Sequence, residues 1–323
     1  MNCPKCQAAV STAAKFCEQC GHSLAESVEF LHAKAVEQYH RGQISAAVST
    51  WDEALHRAPD FSKGHYYRGL ALYDRGDLAE AVDAFKAALK GAEEPFRIYY
   101  KLGMAQYGLG DLYGSVESYQ AAHQINSSSA ETLYRLGLSY MRLSELDKAE
   151  EVLDKAITIN AKYTRALYIL GMVLSQKGDQ ERAIAMFRRV EEISPSYTAA
   201  RFELGMALFR KGDIAAAREQ FAAVENSSPR FAPAPYMLGE CCRKLGEFGE
   251  AVAAYERMLK LNPKDAETWV RIAECHLQED LLDAAKEALE KALSFQPDNQ
   301  EAKYLKDHLG EMRTPHKPGN ETA

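Results

Sequence analysis

The sequence predicts an all-α chain of stacked helical hairpins, and three observations carry that prediction. Apolar residues recur three or four apart in successive segments, which is helical spacing. Glycine turns and prolines punctuate those segments at fixed places. The whole pattern then returns every 34 residues.

The unit is clearest from Thr164 to Tyr197. Leu167, Leu170, Gly171 and Leu174 form one stripe, which Gly178 and Asp179 interrupt. Ala183, Ile184, Phe187 and Val190 form a second stripe, which stops at Pro195. Glycine permits the left-handed backbone that ends a helix, and proline cannot continue one. Neither helix can bury its apolar side alone, so the unit needs neighbours. With Thr164 as position 1, a small residue at position 8 recurs as Ala35, Gly69, Gly103, Gly137, Gly171, Gly205, Gly239 and Ala273. Position 20 reads Ala47, Ala81, Ser115, Ala149, Ala183, Ala217, Ala251 and Ala285. Position 24 holds a large residue: Trp51, Phe85, Tyr119, Leu153, Phe187, Phe221, Tyr255 and Leu289. Small residues at 8 and 20 let the helices approach, and the residue at 24 is expected to fill the space between successive hairpins. Eight units without insertion occupy residues 28–299, starting at 28, 62, 96, 130, 164, 198, 232 and 266.

Period and residue types resemble the tetratricopeptide repeat family, whose pattern has Leu-Gly at 7 and 8, Ala at 20, an aromatic at 24 and Pro at 32. Proline at 32 is present as Pro59, Pro195, Pro229, Pro263 and Pro297. The resemblance implies a right-handed superhelical solenoid of eight hairpins with a concave groove for protein partners. Departures are local. Glu93 and Ser127 stand at position 32 of the second and third units, and Pro233 and Pro235 fall in the first turn of the seventh. Proline is tolerated there because those N–H groups have no helical partner. Residues 300–312 carry Ala302, Tyr304, Leu305 and Leu309 and read as a helix capping the last hairpin. Residues 313–323 have two prolines and no apolar pattern, so a disordered tail is expected.

The first 24 residues differ in kind. Cys3 and Cys6 form one C-x-x-C pair, Cys17 and Cys20 another, with ten residues between them. Each pair can form a tight knuckle, and two facing knuckles complete a tetrahedral site of four thiolates. The segment resembles short zinc ribbons through Cys3-Pro4-Lys5-Cys6 and Phe16-Cys17-Glu18-Gln19-Cys20-Gly21, with Gln7 where glycine is usual. That difference is expected to loosen the first knuckle. So short a segment cannot hold an apolar core, so metal would have to fold it. A rubredoxin-like iron site uses the same ligands, but the short spacing between the pairs favours structural zinc. Thioredoxin-like redox chemistry lacks its βαβ context. Four cysteine ligands leave no position open for a catalytic water. A short linker, residues 25–27, is expected to rest the ribbon on the first hairpin.

A net charge of −7 argues against nucleic acid or an anionic membrane as the main partner. No run of about 18 apolar residues suggests a membrane span. The start, MNCPKCQAAV, lacks the regions of a signal peptide, and seven cysteines, four of them in C-x-x-C pairs, suit a reducing compartment. A cytoplasmic protein is expected. Cys241, Cys242 and Cys275 occupy packing positions of first helices and are expected to be structural.

The family resemblance places positions 5, 9 and 12 of each first helix on the groove. Position 5 supplies Tyr66, Tyr100, Tyr134, Tyr168, Phe202 and Tyr236. Position 9 supplies Leu70, Met104, Leu138, Met172 and Met206. Position 12 supplies Tyr73, Tyr107, Met141, Phe209 and Arg243. Aromatics at 5 and 12 also pack neighbouring repeats in this family, so about half need no partner to explain them. Position 9 is more telling, because it is usually polar in the family and is apolar through the first six units here. A continuous exposed apolar track commonly marks a partner site, and methionine repacks around varied ligands. Glu240, Arg243, Lys244 and Glu274 turn the last two units polar and could set the direction of a bound segment. Chaperone-type carboxylate clamps need Lys and Asn at positions 5 and 9, and the glycosyltransferase-type asparagine ladder needs Asn at 6. Neither is present.

No His-Glu-x-x-His, phosphate loop or Gly-x-Ser-x-Gly occurs, so no enzyme is expected. The sequence thus points to a non-catalytic scaffold that binds an apolar or amphipathic protein segment. Two other readings stay open. One is an adaptor in envelope assembly or proteolysis, resembling the lipopolysaccharide assembly protein B family. That family joins such repeats to a rubredoxin-like site, but at the C-terminus and with a membrane anchor. The other is a regulatory subunit of an enzyme complex.

Overall fold

A computed structural model describes residues 3, 5–11, 14–21 and 27–309. Among them are seventeen helices. They follow one another as α1 (Val28–His40) and α2 (Ile44–Arg57), α3 (Ser62–Arg75) and α4 (Leu78–Ala88), α5 (Pro95–Leu109) and α6 (Leu112–Ile125), and α7 (Ala130–Arg142) and α8 (Leu146–Ile159). Next come α9 (Thr164–Gln176) and α10 (Gln180–Ile193), α11 (Thr198–Lys211) and α12 (Ile214–Ser227), α13 (Pro233–Leu245) and α14 (Phe248–Leu261), and α15 (Ala266–Gln278) and α16 (Leu282–Phe295). The short α17 (Gln300–Asp307) closes the series. The chain divides into two compact units, residues 1–166 and 167–323.

Each first helix begins within one residue of the start read from the sequence. Local chemistry sets the ends. Ser27 caps α1 through its Oγ, 3.1 Å from the Phe30 nitrogen, and Ser129 and Asp265 do the same for α7 and α15. The turn inside each pair is a left-handed residue followed by an N-cap. Gly178 has φ +87°, and the Asp179 carboxylate then accepts from the Arg182 N–H at 3.1 Å. Two units make the same turn without glycine: Ser144 and Asp280 have φ +59° and +58°.

Close approach explains the small residue at position 8. A Cβ on Gly69, Gly103, Gly137, Gly171, Gly205 or Gly239 would stand 2.4–2.8 Å from the side chain at position 24 of the same pair. The large residue therefore fills its own pair first. Trp51 does both jobs, stacking at 6.2 Å on Tyr67 of the next pair as the sequence led us to expect.

In the first unit the core includes Trp51, Leu72, Phe85, Ile98 and Leu102. In the second, Tyr255, Val270, Ile272 and Leu289 are joined by Ala302 of α17, with Leu305 and Leu309 packed alongside. α17 packs against the last pair over part of the stretch where a cap is expected, residues 300–312; residues 310–312 and the tail at 313–323 lie outside the described residues. So do linker residues 25 and 26; Ser27 belongs to the cap of α1. One pair is irregular. α4 has 11 residues where other second helices have 14, because Gly91 at φ +82° and Pro95 relocate the turn.

Candidate functional site

The two cysteine pairs converge. All four Sγ atoms lie within 4.8 Å of one another, with Cys3 and Cys20 at 3.6 Å and Cys6 and Cys17 at 3.5 Å. A tetrahedral zinc site with Zn–S of about 2.3 Å needs sulfurs about 3.8 Å apart. A disulfide would need about 2.05 Å, and all four are free thiols. The donor set therefore fits a metal ion.

The backbone explains the convergence. The Gln7 N–H donates to the Cys3 carbonyl at 2.8 Å, and the Gly21 N–H donates to the Cys17 carbonyl at the same length. Both residues are left-handed, Gln7 at φ +61° and Gly21 at φ +69°. The first knuckle closes as the second does, so the expected loosening at Gln7 is corrected: glutamine takes the glycine conformation, at a cost of about 1–2 kcal/mol. Cys3 and Cys17 are buried, and Ala8, Val10 and Ala14 pack against them.

Charge completes the fit. Burial pushes the Cys3 thiol up, but the backbone N–H groups of Cys6 and Lys5 bring it down to about 6. At Cys6 the Ala8 N–H favours the thiolate, yet the Cys20 sulfur, burial, and the Cys17 and Cys3 sulfurs hold the thiol up at about 12. Four sulfurs this close cannot all ionise unless a cation sits among them.

The residues placed on the groove from sequence fall into three structural kinds. Those at position 5 lean on their own pair. Tyr66 meets Phe85 and Tyr100 meets Tyr119, each at 6.0 Å between centroids. In the second unit Tyr168 meets Phe187 and Tyr197, Phe202 meets Phe221 and Phe231, and Tyr236 meets Tyr255, all within 6.1 Å. These rings are half-buried. Tyr134 is the exception and a correction: only 8% of it is exposed, it packs on Tyr163, and the guanidinium groups of Arg135 and Arg165 cover it at 5.8 and 5.6 Å. It is a core residue.

At position 9, Leu70, Met104 and Leu138 in the first unit, and Met172 and Met206 in the second, are each half-buried. At position 12, Tyr73, Tyr107, Met141 and Phe209 are also half-buried, and some carry a cation from the next repeat. Arg142 lies 4.8 Å over Tyr107 and Lys244 lies 5.3 Å over Phe209. Arg243 is engaged rather than offered: its Nη2 donates to Glu240 at 2.8 Å. Glu274 is likewise paired, with Arg271 at 2.9 Å.

Sequence reasoning missed two features. Glu131 is a hub in the first unit, accepting from Tyr163, from Arg135 Nε at 3.0 Å and from Tyr100 at 3.2 Å, with Arg165 at 3.6 Å. Burial pushes its carboxyl up, but Tyr163 and Arg135 hold it below the ordinary value. The i, i+4 spacing of Glu131 and Arg135 was the available signal. The second is an open cleft of about 660 Å3 lined by His32, Phe61, Tyr66, Tyr67 and Arg97, among others, beside the shortened α4. His32 accepts the Trp51 indole N–H on Nδ1 at 3.1 Å, and burial and Lys63 lower its pKa. Cys241, Cys242 and Cys275 are buried free thiols, and burial pushes Cys241 and Cys275 up to about 12.

Tetratricopeptide repeat profiles match residues 32–98, 96–128, 128–196, 170–235, 202–266 and 242–309. The chain belongs to the tetratricopeptide repeat family. Solved structures show the same fold. A tetratricopeptide repeat protein from Parabacteroides merdae is 20% identical, over 77% of this chain and 98% of that one, with a TM-score of 0.56. YrrB, described as a tetratricopeptide repeat protein with an unusual peptide-binding site, is 21% identical over 59% of this chain and 99% of its own, with a TM-score of 0.54. The C-terminal part of a repeat protein from Cytophaga hutchinsonii reaches 0.54 at 14% identity, over 84% and 98% of the two chains. No curated protein matches the sequence. Among the described residues of this tetratricopeptide repeat protein, no helix is long and apolar enough to cross a membrane.

Proposed function

We propose that this chain is a non-catalytic interaction scaffold of eight tetratricopeptide repeats, whose first-helix faces hold an apolar or amphipathic protein segment. One observation carries the reading: position 9 presents half-buried apolar side chains in every unit from Val36 to Met206, where the family usually places polar ones. Preformed helical faces leave most of the ordering cost to the partner segment. Binding of a peptide by YrrB, a protein of the same fold, supports the class of function. The N-terminal segment is a ribbon around structural zinc, held by Cys3, Cys6, Cys17 and Cys20, and caps the array in a reducing cytoplasm.

The test substitutes the apolar track without touching the rings that hold the pairs. Met104→Lys and Met172→Lys should leave the helical circular dichroism signal unchanged and abolish capture of partners that the intact chain retains from a native lysate. Identical captures would overturn the reading and move attention to the ribbon.

A further inference from the structure

Glu203 stands on α11 in the second unit, one position after Phe202 and three before Met206. It is half-buried, and among the described residues it has no hydrogen bond or ion pair. The neighbouring Arg210 is occupied, donating to Ser175 Oγ at 2.8 Å. Burial pushes the Glu203 carboxyl above its ordinary value, and Arg210 offsets this only in part. Burial, and after it the Glu203 carboxylate, push up the hydroxyl of Tyr168, the position-5 ring of the preceding repeat.

Of the other charged residues at the equivalent position, the two arginines are treated differently, while Lys101, like Glu203, has no ion pair among the described residues. Arg135 binds Glu131 at 3.0 Å, and Arg271 binds Glu274 at 2.9 Å and Glu301 at 3.2 Å. Those charges are neutralised inside the chain. A carboxylate half-withdrawn from water and left unpaired is a cost to the fold, which a cation brought from outside would relieve.

We infer that the segment held on the second unit carries a lysine or arginine that pairs with Glu203, flanked by apolar side chains that lie against Met172, Met206 and Met237. This rests on the reading of that face as a binding surface and names the chemistry of its occupant. The ammonium or guanidinium group donates to the Glu203 carboxylate in a site shielded by Tyr168 and Phe202, where a charge-assisted hydrogen bond is stronger than in water. An acidic segment is disfavoured by the same carboxylate, so Glu203 also selects against the wrong partner.

The test pans a random-sequence peptide display library against the full chain and against Glu203→Gln and Glu203→Lys. Peptides selected by the intact chain should carry one basic residue between apolar ones. Replacing that residue by norleucine should weaken binding at least about ten-fold, the size of one charge-assisted hydrogen bond. Selection on Glu203→Gln should keep the apolar residues and lose the basic one, and Glu203→Lys should recover acidic residues in its place. Apolar peptides without a basic residue, selected equally by all three chains, would overturn this inference and leave the binding face intact. Selection of no peptide by the intact chain would overturn both.

Discussion

Tyr255 donates its hydroxyl to Glu240 at 2.6 Å, which ties a fully buried side chain of α14 to a carboxylate on the face of α13. Burial acts to raise the Glu240 carboxyl, but Arg243 and Tyr255 hold it below the ordinary value. A depressed carboxyl adds stability above the unfolded value of about 4.3, and that stability is lost as pH falls through the folded value. Tyr255→Phe should lower unfolding stability by about 1.5–3 kcal/mol at neutral pH, measured in urea. The loss should shrink on acidification below about pH 4.

Gly171 exists to admit Phe187. A Cβ there would come within 2.6 Å of the ring, so Gly171→Val should cost about 1–3 kcal/mol despite better helix propensity. A thermal melt checks this, and an unchanged midpoint would show that the ring has room to move.

Ser144 makes the opposite prediction. Its φ of +59° is one that glycine adopts freely and serine does not. Ser144→Gly should raise stability by about 1 kcal/mol, visible as a higher denaturant midpoint.

Purified chain should hold one zinc per molecule by elemental analysis. Cys17→Ser with Cys20→Ser should remove it, as should a strong chelator, because two ligands cannot complete the site. The helical signal at 222 nm should barely change, since none of the described residues of the ribbon is helical.

Glu203 should be a cost in the free chain. A raised carboxyl is stabilising only while protonated, below the unfolded value of about 4.3, and becomes a deficit as pH rises through the folded value. Arg210 reduces that deficit without removing it, and Tyr168 adds a polar neighbour. Glu203→Gln should therefore raise the melting midpoint at pH 7, with the gain fading toward pH 4.

Helices and their partners were legible from the chain because close packing repeats. A small residue at position 8 and a large one at position 24 recur at fixed spacing, and the structure shows each position-8 glycine under the large side chain of its own pair. The four cysteines were legible because two C-x-x-C pairs leave few ways to close. Groove residues were legible only as a stripe. Tyr134 shares its position with Tyr100 and Tyr168, yet Tyr163, Arg135 and Arg165 bury it. Nothing in a 34-residue period distinguishes those three tyrosines.

What the amino-acid order determined by itself was whatever depends on spacing along one chain: helix starts, left-handed turns, the small-under-large contact and the cysteine knuckles. Only the tertiary structure decided which charges are spent. Arg243 goes to Glu240, Glu131 gathers two tyrosines and two arginines, and Glu203 has no ion pair among the described residues. The Glu131 contacts with Tyr100, Tyr163 and Arg165 turn on side-chain reach between residues 31–34 apart in sequence, and a few ångströms there separate an ion pair from a solitary carboxylate.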